Sequence, residues 1–244
     1  MAIKVTSNSG QETMIELKNV DQKYGGTQIL WDMNLTIEKG SRTCIMGRNG
    51  VGKTTLLQVI MGMLPISSGS LVINDKDFTK ASVESRPDIG VGYVPQGRHI
   101  FPQLTVEENL RVSLNCKRQP SKTIPEHIYE LFPVLKEMLH RRGGDLSGGQ
   151  QQQLAIARAL VLNPDILILD EPNEGIQPNI VQLIRDVLLK LNKENGMTIV
   201  LVEQKLPFAR AVGEKFVLME KGHVMSTGPM SDLNDELVEK YLAV

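Results

Sequence analysis

Three segments of the chain alternate apolar and polar residues: residues 14–20, 30–37 and 69–74. This period of two is typical of strands that bury one face and expose the other. Such strands pair readily in antiparallel sheets, where only one face covers the core. The pattern therefore predicts a small antiparallel sheet in the early part of the chain.

A second group of segments is short and apolar throughout. Residues 90–94, 166–169 and 197–202 form such runs, which are typical of parallel strands buried on both faces. Residues 181–192 carry apolar positions at helical spacing and link the last two runs as in a β–α–β unit. The pattern predicts an α/β fold with a parallel sheet.

Helical patterns and turns fill most of the remainder. Residues 106–140 predict helix, with a polar, proline-flanked loop at residues 117–125. Towards the end of the chain, the pattern predicts a hairpin within residues 216–227 and a helix over residues 231–242. Residues 1–13 are expected to form a loose leader. The fold class is therefore α/β with a helical insertion.

Residues 47–54 fit the P-loop pattern G-x-x-x-x-G-K-[ST]. They follow a β-rich run, residues 42–46, and precede a helical pattern that begins at Thr55. Backbone N–H groups at a helix N-terminus bind phosphate because the helix dipole favours an anion there. In this pattern Lys53 reaches the outer phosphates and the Thr54 hydroxyl binds Mg²⁺. The segment predicts a nucleoside triphosphate site.

The apolar run 166–169 ends in two carboxylates, Asp170 and Glu171. Ligands of parallel sheets bind at the carboxyl ends of the strands. Asp170 is therefore placed to hold Mg²⁺ through water, and Glu171 to orient or deprotonate the water that attacks the γ-phosphate. The alternative is that both carboxylates cap the turn before Pro172, but the upstream P-loop favours the catalytic role.

A second candidate phosphate site begins at Ser147. This residue is a good N-cap for a helix over residues 150–160, and Gly148 and Gly149 separate the two. Because glycine lowers helix stability by about 1 kcal/mol, the pair indicates a backbone kept bare for a phosphate. The alternative is an ordinary capped helix.

Composition narrows the class of protein. The 244 residues are 41% apolar and 23% charged, an ordinary globular balance. The net charge of −1 and a pI near 6.4 give no electrostatic reason to expect nucleic acid as a partner. No apolar run approaches the ~20 residues of a membrane-spanning helix. The two cysteines and four histidines lack metal-ligand spacing, and Cys44 is expected to be a small buried hydrophobe.

The P-loop, the segment Leu-Ser-Gly-Gly-Gln at residues 146–150 (the signature segment) and the strand ending in Asp170-Glu171 occur in this order. Together they resemble the ATP-binding subunit of ABC transporters. The resemblance implies a P-loop NTPase core with a parallel sheet, a small antiparallel β subdomain and a helical insertion. It also implies a single ATPase domain over residues 14–244, with a helical subdomain at about residues 97–150.

The resemblance assigns further site residues, with ATP and Mg²⁺ as the implied cofactors. Tyr24 matches the aromatic residue that stacks on adenine, and Gln96 matches the glutamine that reaches Mg²⁺ and links the site to the membrane subunits. Glu171 and Gln204 are the implied catalytic residues, and the implied metal ligands are Thr54, Gln96 and Asp170. The implied nucleotide-binding residues are Tyr24, Gly47, Asn49, Gly50, Gly52, Lys53, Thr54, Thr55, Gln96, Ser147, Gly148, Gly149 and Gln150.

Other segments resemble one branch of the family, the importers of branched-chain amino acids and urea. These are residues 95–102, 170–178 and 202–204, while residues 150–153 and 174–178 are most similar to the urea-type subunit. Urea is therefore the solute expected first, ahead of branched-chain amino acids and short amides.

Two positions depart from the usual family pattern. Gln204 stands where most members carry a histidine, and a glutamine can donate a hydrogen bond to phosphate but cannot carry positive charge. Residues 175–178 replace a segment whose aspartate usually acts across the dimer. Both departures occur in the branch just named, so they are interpreted as traits of that branch.

The resemblance also implies partners and a location. Polytopic permease subunits and a second ABC ATPase subunit, as a heterodimer or a homodimer, are the expected direct partners. A periplasmic or extracellular solute-binding protein is expected to act indirectly, and no nucleic acid is expected. The implied location is cytoplasmic, on the inner face of the cell membrane. The alternatives are a soluble ABC ATPase in nucleic-acid repair or translation, and a nucleotide-binding module without turnover.

Overall fold

Two sheets organise the chain, of which the computed structural model describes residues 12–116 and 123–242. The strands are β1 (Thr13–Tyr24), β2 (Thr27–Glu38), β3 (Arg42–Met46), β4 (Ser68–Ile73), β5 (Lys76–Asp77), β6 (Val91–Val94), β7 (Ile166–Asp170), β8 (Thr198–Val202), β9 (Lys215–Glu220) and β10 (His223–Pro229). The helices are α1 (Lys53–Ile60), α2 (Val106–Leu114), α3 (His127–Leu131), α4 (Pro133–Glu137), α5 (Gly148–Leu160), α6 (Pro178–Asn195), α7 (Leu206–Val212) and α8 (Asp235–Tyr241).

The first sheet is antiparallel, with strand order β2-β1-β4-β5. Its three long strands are the segments that alternate apolar and polar residues, so that prediction is confirmed. The fourth strand, β5, has only two residues and carried no sequence signal. The first strand already begins at Thr13, and residues 1–11 of the expected leader lie outside the described part of the chain.

The second sheet has strand order β10-β9-β3-β8-β7-β6. Strands β9, β3, β8, β7 and β6 run parallel, and β10 is an antiparallel edge that forms the predicted hairpin with β9. The predicted parallel strands are confirmed, and β9 extends that sheet beyond β3. In the β7–α6–β8 unit, α6 is longer at both ends than the predicted helix over residues 181–192.

Two hydrophobic clusters lie on opposite faces of the parallel sheet. Successive residues of one strand point to opposite faces, and accordingly Cys44 joins one cluster and Ile45 the other. The cluster around Ile45 also contains α1 and the antiparallel sheet, whereas the cluster around Cys44 contains most of the other helices. The parallel sheet is therefore covered on both sides, which explains its continuous apolar strands.

The helical insertion is more broken than its sequence predicts. Helix α2 precedes the predicted loop at residues 117–125, and two short helices, α3 and α4, replace the single helix that was expected after it. Pro133 begins α4 and separates it from α3, because proline is tolerated in the first turn of a helix but not in its interior. Most of the expected loop, residues 117–122, lies outside the described residues. Likewise, α8 begins at Asp235 instead of residue 231, because Asn234 caps it through a bond from Leu237 N.

Asn192 fastens α6 to the start of the parallel sheet. Its Nδ2 donates to the carbonyl oxygens of Gly40 at 2.7 Å and Met197 at 2.9 Å, and its Oδ1 accepts from Arg42. Gly40 precedes β3 and Met197 precedes β8, so one buried amide fixes the entry of both central strands. This contact sets where the carboxyl ends of those strands come to lie.

Asn192→Ala should lower the free energy of unfolding by about 2–3 kcal/mol, because two carbonyl groups lose their buried donor. Urea unfolding followed by circular dichroism measures this change. Lys193→Ala, at the exposed neighbouring position, is the matched control and should change stability by less than about 0.5 kcal/mol. Equal effects of the two substitutions would contradict the assigned role of Asn192.

Candidate functional site

A cavity of about 730 Å³ opens at the carboxyl edge of the parallel sheet. The segments that follow β3, β7 and β8 meet there because the three strands are parallel neighbours. The cavity is lined by Ile29, Asn49, Gly50, Gly52, Lys53, Thr54, Thr55, Gln96, Glu171, Glu174, Gly175, Glu203, Gln204 and Lys205. Most of the predicted nucleotide-binding residues and both predicted catalytic residues are therefore brought together.

Glycines give the loop between β3 and α1 its shape. Gly52, the N-cap of α1, has φ +102°, a conformation that side chains rarely adopt. A Cβ on Gly47 would lie 2.4 Å from the carbonyl oxygen of Met219 in β9, so no larger residue fits there. The turn after β9 supports the loop as well, because Gly222 N donates to Val51 O at 2.9 Å and Gly222 O accepts from Trp31 N at 3.0 Å. The loop is thus fixed to both sheets.

Lys53 is buried, and its ammonium group folds back onto this loop. Its Nζ donates to the carbonyl oxygens of Gly47 at 2.8 Å and Arg48 at 2.9 Å. Burial lowers the pKa of Lys53, while the negative charges of Glu171 and Asp170 oppose that shift. The ammonium group therefore lies at the centre of the loop and is held by neutral acceptors.

Asp170 is 1% exposed at the end of β7, and neither of its carboxylate oxygens accepts a hydrogen bond of normal geometry. Burial raises its pKa, the nearby Thr54 hydroxyl opposes that shift, and the charge of Glu171 adds to it. A buried carboxylate beside a hydroxyl offers hard oxygen ligands with free lone pairs. These residues fit a magnesium ion that takes its other ligands from phosphate and water.

Glu171 is held by two glutamine side chains. Its Oε1 accepts from Gln204 Nε2, and its Oε2 lies 3.4 Å from Gln96 Nε2. Gln204 also donates to Asn49 Oδ1 at 2.6 Å, and Gln96 also donates to Glu174 Oε2 at 3.0 Å. Two side-chain amides thus connect the carboxylate to the P-loop and to the strand end of β6.

Glu203 is a buried residue of the site whose contacts the sequence did not predict. Its Oε1 accepts from the backbone N–H groups of Gln204 and Lys205, and its Oε2 accepts from Asn173 Nδ2, each at 2.8 Å. Lys205 Nζ in turn donates a hydrogen bond to Asn173 O at 3.0 Å. The network joins the turn after β7 to the turn after β8, and so positions Glu171 relative to Gln204. The available signal was a carboxylate directly after an apolar strand, as at Asp170.

Some predicted residues lie outside the cavity lining. Tyr24 is 48% exposed at the end of β1, and its hydroxyl donates to Gln58 Oε1 in α1 at 3.1 Å. Gly47, the first residue of the loop, packs against the Met219 carbonyl group, and Asp170 is buried at the end of β7. The four residues Ser147, Gly148, Gly149 and Gln150 begin α5, where Ser147 and Gln150 form a reciprocal capping box. The helix includes both glycines and therefore starts earlier than the predicted residue 150.

Two further expectations concern single residues and membrane spans. Burial raises the pKa of the Cys44 thiol to about 12, in agreement with its expected role as a small buried hydrophobe. Within residues 12–116 and 123–242, no helix is both long and apolar enough to cross a membrane.

The sequence model of the family described as ABC transporter matches residues 30–174. The probable branched-chain amino acid transport ATP-binding protein LivF of Archaeoglobus fulgidus is 34% identical over 221 residues, which cover 90% of this chain and 94% of that protein. The chain belongs to the ABC transporter family.

Other relatives in the ABC transporter family extend the comparison. The high-affinity branched-chain amino acid transport ATP-binding protein BraG of Pseudomonas aeruginosa is 34% identical, with 94% of this chain and 99% of that protein covered. The spermidine/putrescine import ATP-binding protein PotA of Haemophilus ducreyi is 32% identical over 96% of this chain and 62% of that protein. Relatives with different solutes thus share comparable identity with this chain.

Solved ABC cassettes have the same fold. The ATP-binding cassette MJ0796, in a dimeric post-hydrolysis state bound to ADP and Pi, superimposes with a TM-score of 0.81 at 30% identity, covering 89% of this chain and 99% of that one. The predicted fold class is confirmed. As a member of the ABC transporter family with this fold, the chain is an ATPase that binds ATP.

Asp170→Asn should raise the stability of the nucleotide-free protein at pH 7 by about 1 kcal/mol, because a functional site that buries an unpaired charge is destabilising. Burial raises the pKa of Asp170 in the folded protein above its ordinary 3.8. The free-energy cost of burying the ionised carboxylate therefore appears as pH rises from 3.8 to the pKa of the folded protein. The gain should therefore shrink as pH falls from 7 towards 4.

Urea unfolding in EDTA at several pH values measures this gain. Asp186→Asn, on the exposed face of α6, is the control and should show no gain at any pH. A destabilised Asp170→Asn protein would mean that the carboxylate is satisfied in the fold and would remove the argument for Asp170 as a metal ligand.

Proposed function

We propose that this chain is the ATP-hydrolysing subunit of an ABC importer. The observation that carries the proposal is that Lys53 and Glu171 line one cavity at the carboxyl edge of the sheet. Asp170 is buried beside that lining, where it interacts with Thr54, Glu171 and Lys53. A cationic loop, a buried carboxylate without a hydrogen-bond partner and a half-buried carboxylate held by amides are the groups that phosphoryl transfer to water needs. The importer names of the relatives support the transport role.

In the proposed mechanism the P-loop binds the triphosphate. The backbone N–H groups of residues 49–55 surround the phosphates, and Lys53 exchanges the carbonyl oxygens of Gly47 and Arg48 for phosphate oxygens. The anionic phosphate stabilises the buried ammonium group more than neutral carbonyls do. Tyr24 stacks on the adenine, for which its exposed ring at the end of β1 is accessible.

Thr54, Asp170 and Gln96 are the proposed magnesium ligands, with Asp170 acting through water. The ion would neutralise phosphate charge during the transfer. The free oxygens of Asp170 support its role, and Gln96 must leave Glu174 to take part. This exchange makes the side chain of Gln96 sensitive to whether the site is filled.

Glu171 orients and deprotonates the attacking water, and Gln204 holds it in place. The bonds from Gln204 to Glu171 and to Asn49 support this division of roles. Because the Gln204 amide can donate to both a carboxylate and a phosphate oxygen, it can connect the base to the γ-phosphate without charge of its own. The hydrogen bonds of the buried Glu203 hold the turn after β7 and the turn after β8 in fixed relative positions.

A second ATPase subunit completes each nucleotide site in this proposal. The signature segment is absent from the cavity lining of its own chain, so its bare helix start is available to the nucleotide of a partner. The dimeric state of the MJ0796 cassette supports this arrangement. Moving a pair from mostly open to mostly closed takes about 5.5 kcal/mol of differential binding, which two nucleotides with charge-assisted bonds can supply.

Our proposal for the transported solute uses the names of the relatives and the resemblance of short segments to one branch of the family. The names of the two relatives LivF and BraG favour branched-chain amino acids, and they weigh more than the resemblance that pointed to urea. Urea remains the second candidate because residues 174–178 resemble the urea-type subunit. The proposed direct partners are permease subunits, which contact residues 97–110. A solute-binding protein acts indirectly, and no nucleic acid takes part. The proposed location is the inner face of the membrane.

Glu171→Gln should keep ATP affinity but reduce turnover by about 100-fold or more, because general-base catalysis is lost while the phosphate contacts remain. Phosphate release measures turnover, and sedimentation with ATP tests whether the variant accumulates closed dimers with its cognate partner. Glu194→Gln, on the exposed end of α6, is the control. Hydrolysis by Glu171→Gln at the parental rate would contradict the water-activating role.

Lys53→Ala should weaken ATP binding itself by about 10-fold or more, since a charge-assisted bond to phosphate is worth roughly 1.5–3 kcal/mol. Equilibrium dialysis with labelled ATP gives the affinity, and Lys190→Ala on α6 serves as the charge-matched control. Unchanged affinity in Lys53→Ala would exclude this lysine from the phosphate site.

A further inference from the structure

The loop after β6 has an unusual backbone. Gly97, Arg98 and His99 have successive φ values of +78°, +71° and +48°. Only glycine adopts this left-handed region freely, so Arg98 and His99 are strained there. Such strain persists where surrounding contacts enforce it. The loop directly follows Gln96, which contacts Glu171 and Glu174.

The side chain of Arg98 supplies one set of these contacts. Its Nη1 donates to Gln151 Oε1 in α5 at 3.1 Å, and its Nη2 lies 3.5 Å from the carbonyl oxygen of Glu174. The guanidinium group packs against the bare Cα of Gly148, where an added Cβ would lie only 3.1 Å from Nη2. Arg98 therefore joins three segments: its own loop, the signature segment and the turn after β7.

A second arginine holds the other side of the same loop. Arg158 Nη1 donates to His99 O at 2.6 Å, and its guanidinium group stacks over the ring of Phe101 at 4.6 Å. Arg158 lies about two turns beyond Gln151 on the same side of α5. Helix α5 thus contacts the strained loop at two points, and the contact at Arg98 is the one beside the phosphate-binding helix start.

We propose that Arg98 is a positioning residue that couples a subunit's own nucleotide site to its signature segment. This inference rests on the proposed function and deepens it. When nucleotide and magnesium fill the cavity, Gln96 leaves Glu174, and the strained loop transmits that change through Arg98 to Gln151 and Gly148. The signature segment, which serves the nucleotide of the partner, thereby responds to the nucleotide of its own chain.

The chemistry of arginine suits this role. Its planar fork can donate to a side-chain amide and a backbone carbonyl at once while its flat face packs on a glycine. Within the described residues no carboxylate forms an ion pair with Arg98, so no competing charge fixes the group elsewhere. Lysine, with a single point charge, cannot reproduce both contacts.

Hydrogen–deuterium exchange of the full chain tests the coupling. The protein is kept monomeric by dilution, as checked by light scattering, so that no partner nucleotide contacts the signature segment. Addition of magnesium and the non-hydrolysable analogue AMP-PNP should slow exchange in the P-loop, and should change exchange in residues 146–151 by about fivefold, the lower end of typical coupling between sites.

Arg98→Ala should keep the P-loop protection while the response of residues 146–151 falls below about twofold. Gln151→Ala removes the acceptor and leaves Arg98 intact, so it should give the same loss even if Arg98→Ala folds poorly. Gln151→Glu should retain the response through a charged bond, and Arg98→Lys should not. Arg185→Ala on α6 is the matched control and should behave as the parent.

A full response in a folded Arg98→Ala or Gln151→Ala protein would overturn the coupling role, as would a parent whose P-loop is protected while residues 146–151 do not respond. A parent without P-loop protection would instead refute the nucleotide site of the proposed function. The two failures are therefore distinguished by where exchange changes.

Discussion

The backbone pairing of β3, β8 and β7 is the constraint on which the nucleotide site depends. Ile45 and Asp170 both align with Val202 of the central strand, so three parallel strands end at nearly the same level. The polar groups of the site lie at those strand ends: the glycine loop after β3, the carboxylates at the end of β7 and the glutamine after β8. Asn192 secures the opposite ends of β3 and β8, which makes a core residue part of the site's geometry.

The polar groups of the site differ in how well their hydrogen bonds are satisfied within the chain. Lys53 is held by carbonyl oxygens and Gln96 by carboxylates, whereas Asp170 is left without a normal hydrogen bond. In the proposed mechanism, nucleotide and magnesium would supply new partners to all three side chains. Under that proposal, contacts that do not stabilise the nucleotide-free protein leave free energy available for nucleotide binding.

The sequence predicted those parts of the site that lie within one continuous segment of the chain. The P-loop at residues 47–54 and the apolar strand before Asp170 carry their structural context with them, so their chemistry and position could be inferred together. The contacts of Glu203 with Asn173 and of Arg98 with Gln151 join segments far apart in the chain. These contacts depend on how separate turns pack together, and the conformational propensities of single residues do not determine that packing. The signature segment was recognisable, but its absence from the cavity lining depends on tertiary structure.

The contact between Gly222 and the P-loop bears on how the chain acquires activity as it is made. The loop at Val51 emerges from the ribosome early, whereas the glycine that braces it emerges much later. Until β9 and its following turn have been synthesised, the β3–α1 loop lacks both this brace and the Met219 carbonyl beneath Gly47. In a nascent chain that ends before β9, the β3–α1 loop therefore lacks part of the framework that shapes it in the folded protein.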